Sequence, residues 1–240
     1  MFLLAILPSL IILNIVYNSD SEKEPKKLLI ALFGLGIISC FITFLITDFV
    51  LYFVPSMKSD VVFNSNNYLK VFIYSFLIVG CIEEFSKWIF NVTIGWNNKN
   101  FDQIYDAIVY SVFISLGFAS FENFLYIVDN GFNIVLIRSI LSVPAHAFFG
   151  VAMGSYLGLS KYNYYTNNKK MSVKNFVLSL MVPVLLHGIY DFCIFSDNRV
   201  FYALFFVLII LLYIYAINKI YKVSKNNINI INNKNISEFK

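Results

Sequence analysis

Apolar runs of about twenty residues recur along almost the whole of this 240-residue chain, and that is the length a helix needs to cross ~30 Å of hydrocarbon. Candidate spans lie near 2–17, 28–53, 69–93, 102–128, 133–159, 174–195 and 199–222. Each is too long and too continuously apolar for a barrel strand, and lipid offers no water to an open backbone, so the spans are expected to be α-helices. Charged residues make up only 13% of the chain against 59% hydrophobic, about half the charged share of a soluble domain. A soluble fold is thereby excluded, since a chain of this size cannot bury so much apolar surface. The expectation is an all-α, polytopic membrane bundle of about seven transmembrane helices. It forms a single domain over residues 1–222, with its motif-bearing core at about 69–195.

Orientation follows from the basic residues, which gather on the cytoplasmic side of a membrane protein. Threading seven helices alternately through a bilayer puts thirteen lysines on one side, from Lys23, Lys26 and Lys27 to Lys234 and Lys240. Only Lys58, Lys70 and Arg199 fall on the other. The amino terminus is therefore expected outside and the carboxyl terminus in the cytoplasm. The first span has no basic leader and no small-residue cleavage site, so it reads as a retained helix. Residues 223–240, rich in Asn and Ile with scattered Lys, read as a low-complexity cytoplasmic tail. The net charge of +4 lies in loops and tail, so nucleic acid is not an expected partner. Cys40, Cys81 and Cys193 show no ligand-like spacing and are expected to be small core residues.

Ionisable residues inside these spans carry the most information, because each costs about 2.5–3.5 kcal/mol at mid-bilayer even on the lenient insertion scale. The third span holds Glu83, Glu84 and Lys87, the fourth Glu122 and Asn123, the fifth Arg138 and His146, and the sixth His187 and Asp191. Both histidines of the chain are in this set. Residues four apart share a helix face, so Glu83 can pair with Lys87 and Asp191 can orient His187. His146, Gly150, Gly154 and Gly158 step by four, a small-residue face that lets a neighbouring helix approach closely. At ~1.5 Å per residue all these groups fall within reach of one cavity opening on the outer side. Four acids against Lys87 and Arg138 leave an excess of negative charge, which protons or one divalent cation would relieve.

These residues resemble the PrsW family of intramembrane proteases, distant relatives of the type II CAAX prenyl proteases. The resemblance rests on four blocks in order: Glu83-Glu84-x-x-Lys87, Phe118-x-x-x-Glu122-Asn123, Arg138 followed by His146-x-x-x-Gly150, and His187-Gly188-x-Tyr190-Asp191. It implies a membrane-embedded peptidase acting on a single-span membrane protein, such as the first, outer-side cut of an anti-sigma factor in envelope stress signalling. It implies catalytic roles for Glu83, Glu84, Glu122, His146, His187 and Asp191, with Lys87, Asn123 and Arg138 in support. By similarity to the CAAX relatives, a first-motif glutamate activates water and the last motif stabilises the oxyanion. Those relatives carry His where this chain has Glu122, and Asn where it has Asp191. Members are described both as metalloproteases and as glutamic proteases. A divalent metal such as zinc would have Glu83, Glu122, His146 and His187 as candidate ligands. The family and the AT-rich coding bias suggest a bacterial plasma membrane.

Two other readings of the residues remain open at this stage. Buried carboxylates and histidines also mark ion- or proton-coupled carriers, and a polar cluster can serve only to lock the helices of a non-catalytic scaffold. No His-Glu-x-x-His, Gly-x-Gly-Asp or Gly-x-Ser-x-Gly pattern is present, which removes the other familiar intramembrane protease chemistries.

Overall fold

The computed structural model describes residues 2–131, 133–226 and 228–230. Its ten α-helices are α1 Phe2–Ser19, α2 Lys26–Phe53, α3 Ser59–Phe63, α4 Tyr68–Ile73, α5 Cys81–Phe90, α6 Ile104–Asn130, α7 Asn133–Ile140, α8 Ser142–Tyr165, α9 Lys169–Phe195 and α10 Arg199–Lys225. Five stretches are long and apolar enough to cross a membrane: α2, α6, α7 with α8, α9 and α10. The third expected span is helical from Tyr68 to Gly95, but its winding changes. Tyr74–Gly80 and Asn91–Gly95 are π-helical and flank α5 on both sides. The fifth expected span is divided at Leu141. Pro144, three residues on, has no N–H to give to the preceding turn, so the hydrogen-bond ladder is interrupted there and α8 starts afresh.

Helix α6 runs through the middle of the bundle, with every side chain from Ile104 to Ser120 buried. Neighbours come very close to it at glycines. A Cβ on Gly150 would lie 3.0 Å from the Ser111 carbonyl oxygen and one on Gly158 2.6 Å from that of Ile104, while one on Gly154 would clash with the Ala107 backbone. The four-residue glycine face of α8 therefore lies directly on α6, as its spacing implied. On the opposite side Gly36 of α2 and Gly117 of α6 meet backbone to backbone, a crossing that no four-residue repeat announced. Helix α9 packs on α8 and on the π-helical segment Tyr74–Gly80, and α10 lies outside both.

At the lysine-rich end, the α1–α2 connection folds under α6. Asp106 accepts from the backbone N–H groups of Asp102 (2.9 Å) and Gln103 (2.7 Å), and Gln103 donates to Glu22. The start of the tail joins this knot: Ile230 is fully buried, its N–H donates to the Asp102 carbonyl, and Ile104 N–H donates to the Ile228 carbonyl at 3.2 Å. The exposed loop backbone and one apolar side chain suffice to dock these residues, and the tail beyond Ile230 lies outside the described residues.

Two predictions follow from this packing. Gly154→Val should cost at least the 1–3 kcal/mol typical of overpacking and lower the melting temperature in detergent. Gly34→Ala, where a Cβ meets nothing within 4 Å, should leave it unchanged or raise it slightly. In the knot, burial raises the Glu24 carboxyl to about 7 and that of Asp20 to about 6, with repulsion from neighbouring acids adding to the first. Both groups thus bind protons more tightly folded than unfolded. Their contribution is intact below the ordinary carboxylate range and lost as pH rises through about 6 to 7. The melting-temperature difference between Glu24→Gln and the parent should therefore move in the variant's favour as pH rises from about 4.5 to about 7.

Candidate active site

The four motif-bearing spans converge on one cavity of about 620 Å³ in the half of the bundle away from the lysine-rich end. Its walls come from α2, the first π-helical segment, α5, the end of α6, α7, α8 and α9. Close contact between α9 and the chain before α5 makes the meeting possible. A Cβ on Gly80 would lie 3.2 Å from Gly188 N and 3.3 Å from the Val184 carbonyl oxygen, and Gly188 sits against the Phe76 ring. This crossing is one residue from His187 and three from Glu83, so the imidazole and the glutamates are delivered to the same place. The wider turns before α5 set the phase at which both glutamates leave the helix, and π-bulges are frequent at functional sites.

Lys87 is the hub of the charges. Its fully buried ammonium lies 2.7 Å from Glu84 Oε1, 3.5 Å from Glu83 Oε2 and 3.1 Å from His146 Nδ1, with the Phe118 ring centroid 4.1 Å away. His187 Nδ1 is 2.9 Å from Glu84 Oε1, while its Nε2 lies 3.4 Å from Asp191 Oδ2 and 3.9 Å from Glu83 Oε2. The Phe149 ring stacks on this imidazole with centroids 4.8 Å apart. Glu122 forms the outer part of the network, accepting from Arg138 Nη2 at 2.7 Å and contacting His146 Nε2 at 3.1 Å. Arg138 Nε donates to Asn123 Oδ1 at 3.2 Å, and its guanidinium carbon lies 3.8 Å from the Tyr126 ring centroid. All nine residues singled out by sequence therefore belong to one connected network.

The two adjacent glutamates differ in access. Glu83 lines the cavity, as do His146, His187, Glu122 and Asp191, whereas Glu84 lies behind it and is fully buried. One ligand atom from each of Glu83, Glu84, His146 and His187 lies within 4.8 Å of the others. Glu84 Oε2 is buried with no hydrogen-bond partner among the described residues, an oxygen that a cation would satisfy. Mixed nitrogen and oxygen donors suit zinc, which in catalytic sites takes three protein ligands and keeps one position open. These residues fit a divalent metal. The set differs from the sequence expectation by one member: Glu84 joins it, and Glu122 is drawn aside by the Arg138 guanidinium to the far side of His146.

Sequence reasoning passed over several residues of the wall. Cys40, Thr43 and Thr47 on α2 and Tyr74 on the π-helical segment line the cavity, and Tyr126 carries Arg138 on its ring. In a chain this rich in aromatics, Tyr126 has no distinguishing spacing. The α2 threonines step by four, which could have been noticed.

Comparison with known proteins gives a consistent result. Residues 24–217 match the model of a family described as PrsW family intramembrane metalloprotease. The chain is 37% identical to Protease PrsW of Oceanobacillus iheyensis over 226 residues, covering 93% of this chain and 95% of the relative. It is 35% identical to Protease PrsW of Bacillus subtilis over 205 residues, 84% and 86% of the two chains. It is 33% identical to that of Clostridioides difficile over 227 residues, 92% and 90% of the two. No solved structure matches.

Proposed function

The chain belongs to the PrsW family of intramembrane metalloproteases, and on that premise we propose that this multi-pass membrane peptidase cuts a single-span membrane protein near the outer face of a bacterial plasma membrane. An anti-sigma factor is the substrate of choice, with the cut as the first step of envelope stress signalling. The amino terminus lies outside and the carboxyl terminus in the cytoplasm, which turns the cavity outward. The observation that carries the reading is the meeting of Glu83, Glu84, His146 and His187 within 4.8 Å, with all but Glu84 lining one cavity.

Peptide hydrolysis needs an activated water, a stabilised oxyanion and a proton for the departing amine. Glu83, the glutamate of the pair that faces the cavity, takes a proton from the attacking water. The oxygen then bonds to the scissile carbonyl carbon, the C–N bond breaks, and the amine leaves with the proton that Glu83 received. Glu84, His146 and His187 would hold a zinc ion, which supplies Lewis-acid polarisation of the carbonyl and lowers the pKa of bound water. Lys87 compensates the carboxylates, and Asp191 orients the His187 ring from its Nε2 side. Tyr126 and Thr47 border the space that a substrate segment enters.

The test uses purified protein in detergent or liposomes with a tagged single-span substrate. Wild type should cleave it, and Glu83→Gln and His187→Ala should each lose at least the 10²–10⁴-fold that a general acid–base group contributes while remaining inserted and folded. A chelator should abolish cleavage and zinc restore it. Undiminished cleavage by folded Glu83→Gln would overturn the assignment of the base, and chelator-resistant cleavage would overturn the metal.

A further inference from the structure

The surroundings of the two imidazoles differ in a way that assigns a separate task to the second and third motifs. His146 Nδ1 lies 3.1 Å from the Lys87 ammonium. An ammonium can only donate, so Nδ1 must be the accepting nitrogen, its lone pair taken by Lys87 beside the centre formed by Glu83, Glu84 and His187. The proton of a neutral His146 ring is then on Nε2, which lies 3.1 Å from Glu122 Oε2. The same carboxylate oxygen accepts from Arg138 Nη2 at 2.7 Å. Arg138 is itself held by Asn123 Oδ1 at 3.2 Å and by the Tyr126 ring, and Asn123 Nδ2 donates to the Ala5 carbonyl of α1 at 3.2 Å. The row Ala5, Asn123, Arg138, Glu122, His146 thus joins α1, α6, α7 and α8 and ends on His146 Nε2, leaving Nδ1 on the Lys87 side of the ring.

We infer that Glu122, backed by Arg138 and Asn123, is a positioning residue that fixes the Nε2–H tautomer of His146, so that Nδ1 carries a lone pair that a metal can take in place of the Lys87 proton. Glu122 is then neither a ligand nor the base. Carboxylates that accept the second N–H of a ligating histidine orient the ring and raise its basicity, and their loss commonly costs 10–100-fold in metal affinity. The residue types suit the task. A carboxylate held by a planar guanidinium stays in one orientation, and Arg138 meets it on the side away from Nδ1. His187 has no such arrangement, because it meets carboxylates on both sides. The inference rests on the metal reading proposed above only for its consequence. The tautomer itself is a property of the metal-free protein.

The experiment is nitrogen-15 NMR of ¹⁵N-histidine-labelled full-length protein in micelles, paired with zinc affinity from competition with a chromophoric chelator. The chain has two histidines, so His187→Ala leaves the His146 ring signals alone in the spectrum. The metal-free protein should show His146 as the Nε2–H tautomer. Glu122→Ala should convert it to a tautomer mixture and weaken zinc binding by about 10–100-fold, with Glu122→Gln, which keeps an acceptor, falling between. Arg138→Met should shift both readouts in the same direction. A His146 ring protonated on Nδ1 in the parent, or a tautomer and zinc affinity unchanged in Glu122→Ala, would overturn the inference. A parent that binds no zinc yet shows the Nε2–H tautomer, lost in Glu122→Ala, would sink the metal reading and leave the positioning role standing.

Discussion

A fully buried ammonium placed among carboxylates inside an apolar bundle is the constraint on which the rest of this structure depends. Lys87 cannot be left alone there, and neither can Glu84, whose carboxylate is equally inaccessible. Breaking a buried pair by removing one partner typically costs about 3–5 kcal/mol, so each helix that contributes a member is held in register by the others. The network reaches α5, α6, α7, α8 and α9 through side chains and α1 through the Ala5 carbonyl. A bundle in lipid gains little from burying one apolar helix against another. Polar convergence and close backbone contact must therefore specify the arrangement that hydrophobicity leaves open.

Close contact comes from glycine at three crossings, and each has a consequence at the site. Gly150, Gly154 and Gly158 lay α8 along α6, so His146, one turn before Gly150, is directed between helices and not into lipid. Gly36 and Gly117 bring α2 against α6 and so place its threonine face on the cavity. Gly80 and Gly188 bring the chain before α5 onto α9, which sets the 2.9 Å contact between Glu84 and His187. A methyl group at Gly36, Gly117, Gly154 or Gly158 meets the backbone of the facing helix and pushes the two apart. The chemistry is therefore as sensitive to these glycines as to its own charged groups.

Much of this was legible in the sequence, and the reason is specific. Length and apolarity mark crossing helices, charges stand out against hydrocarbon, and four-residue spacing reports a shared face, so Glu83 with Lys87, His187 with Asp191 and the α8 glycines could be paired without coordinates. What was not legible depends on helix phase. A π-helical turn shifts every later side chain around the axis by a part-turn, and no residue pattern in Tyr74–Gly80 signals it. The partition of Glu83 to the cavity and Glu84 behind it is set by that phase. The displacement of Glu122 from the expected ligand group required knowing that Arg138, sixteen residues away across a helix break, reaches it. α1 lacks any motif because it offers the network a backbone carbonyl, which every residue type carries.

The same geometry bears on why members of such a family can be described both as metallo- and as glutamic proteases. Lys87 Nζ touches Glu83, Glu84 and His146, three of the four residues whose ligand atoms are close enough to hold a metal. One ammonium and one divalent ion thus address the same carboxylates. With the ammonium alone, the cluster of four acids, Lys87 and Arg138 retains an excess of negative charge, and Glu84 Oε2 keeps no partner. A divalent ion supplies the missing charge and satisfies that oxygen, but it must share Glu84 with Lys87 and displace the ammonium from His146 Nδ1. Glutamate-only chemistry avoids the competition and leaves the orphaned oxygen unexplained. The metal reading gives Glu84 Oε2 a partner, because a buried carboxylate oxygen with no donor among the described residues is stable only when a cation or a proton reaches it.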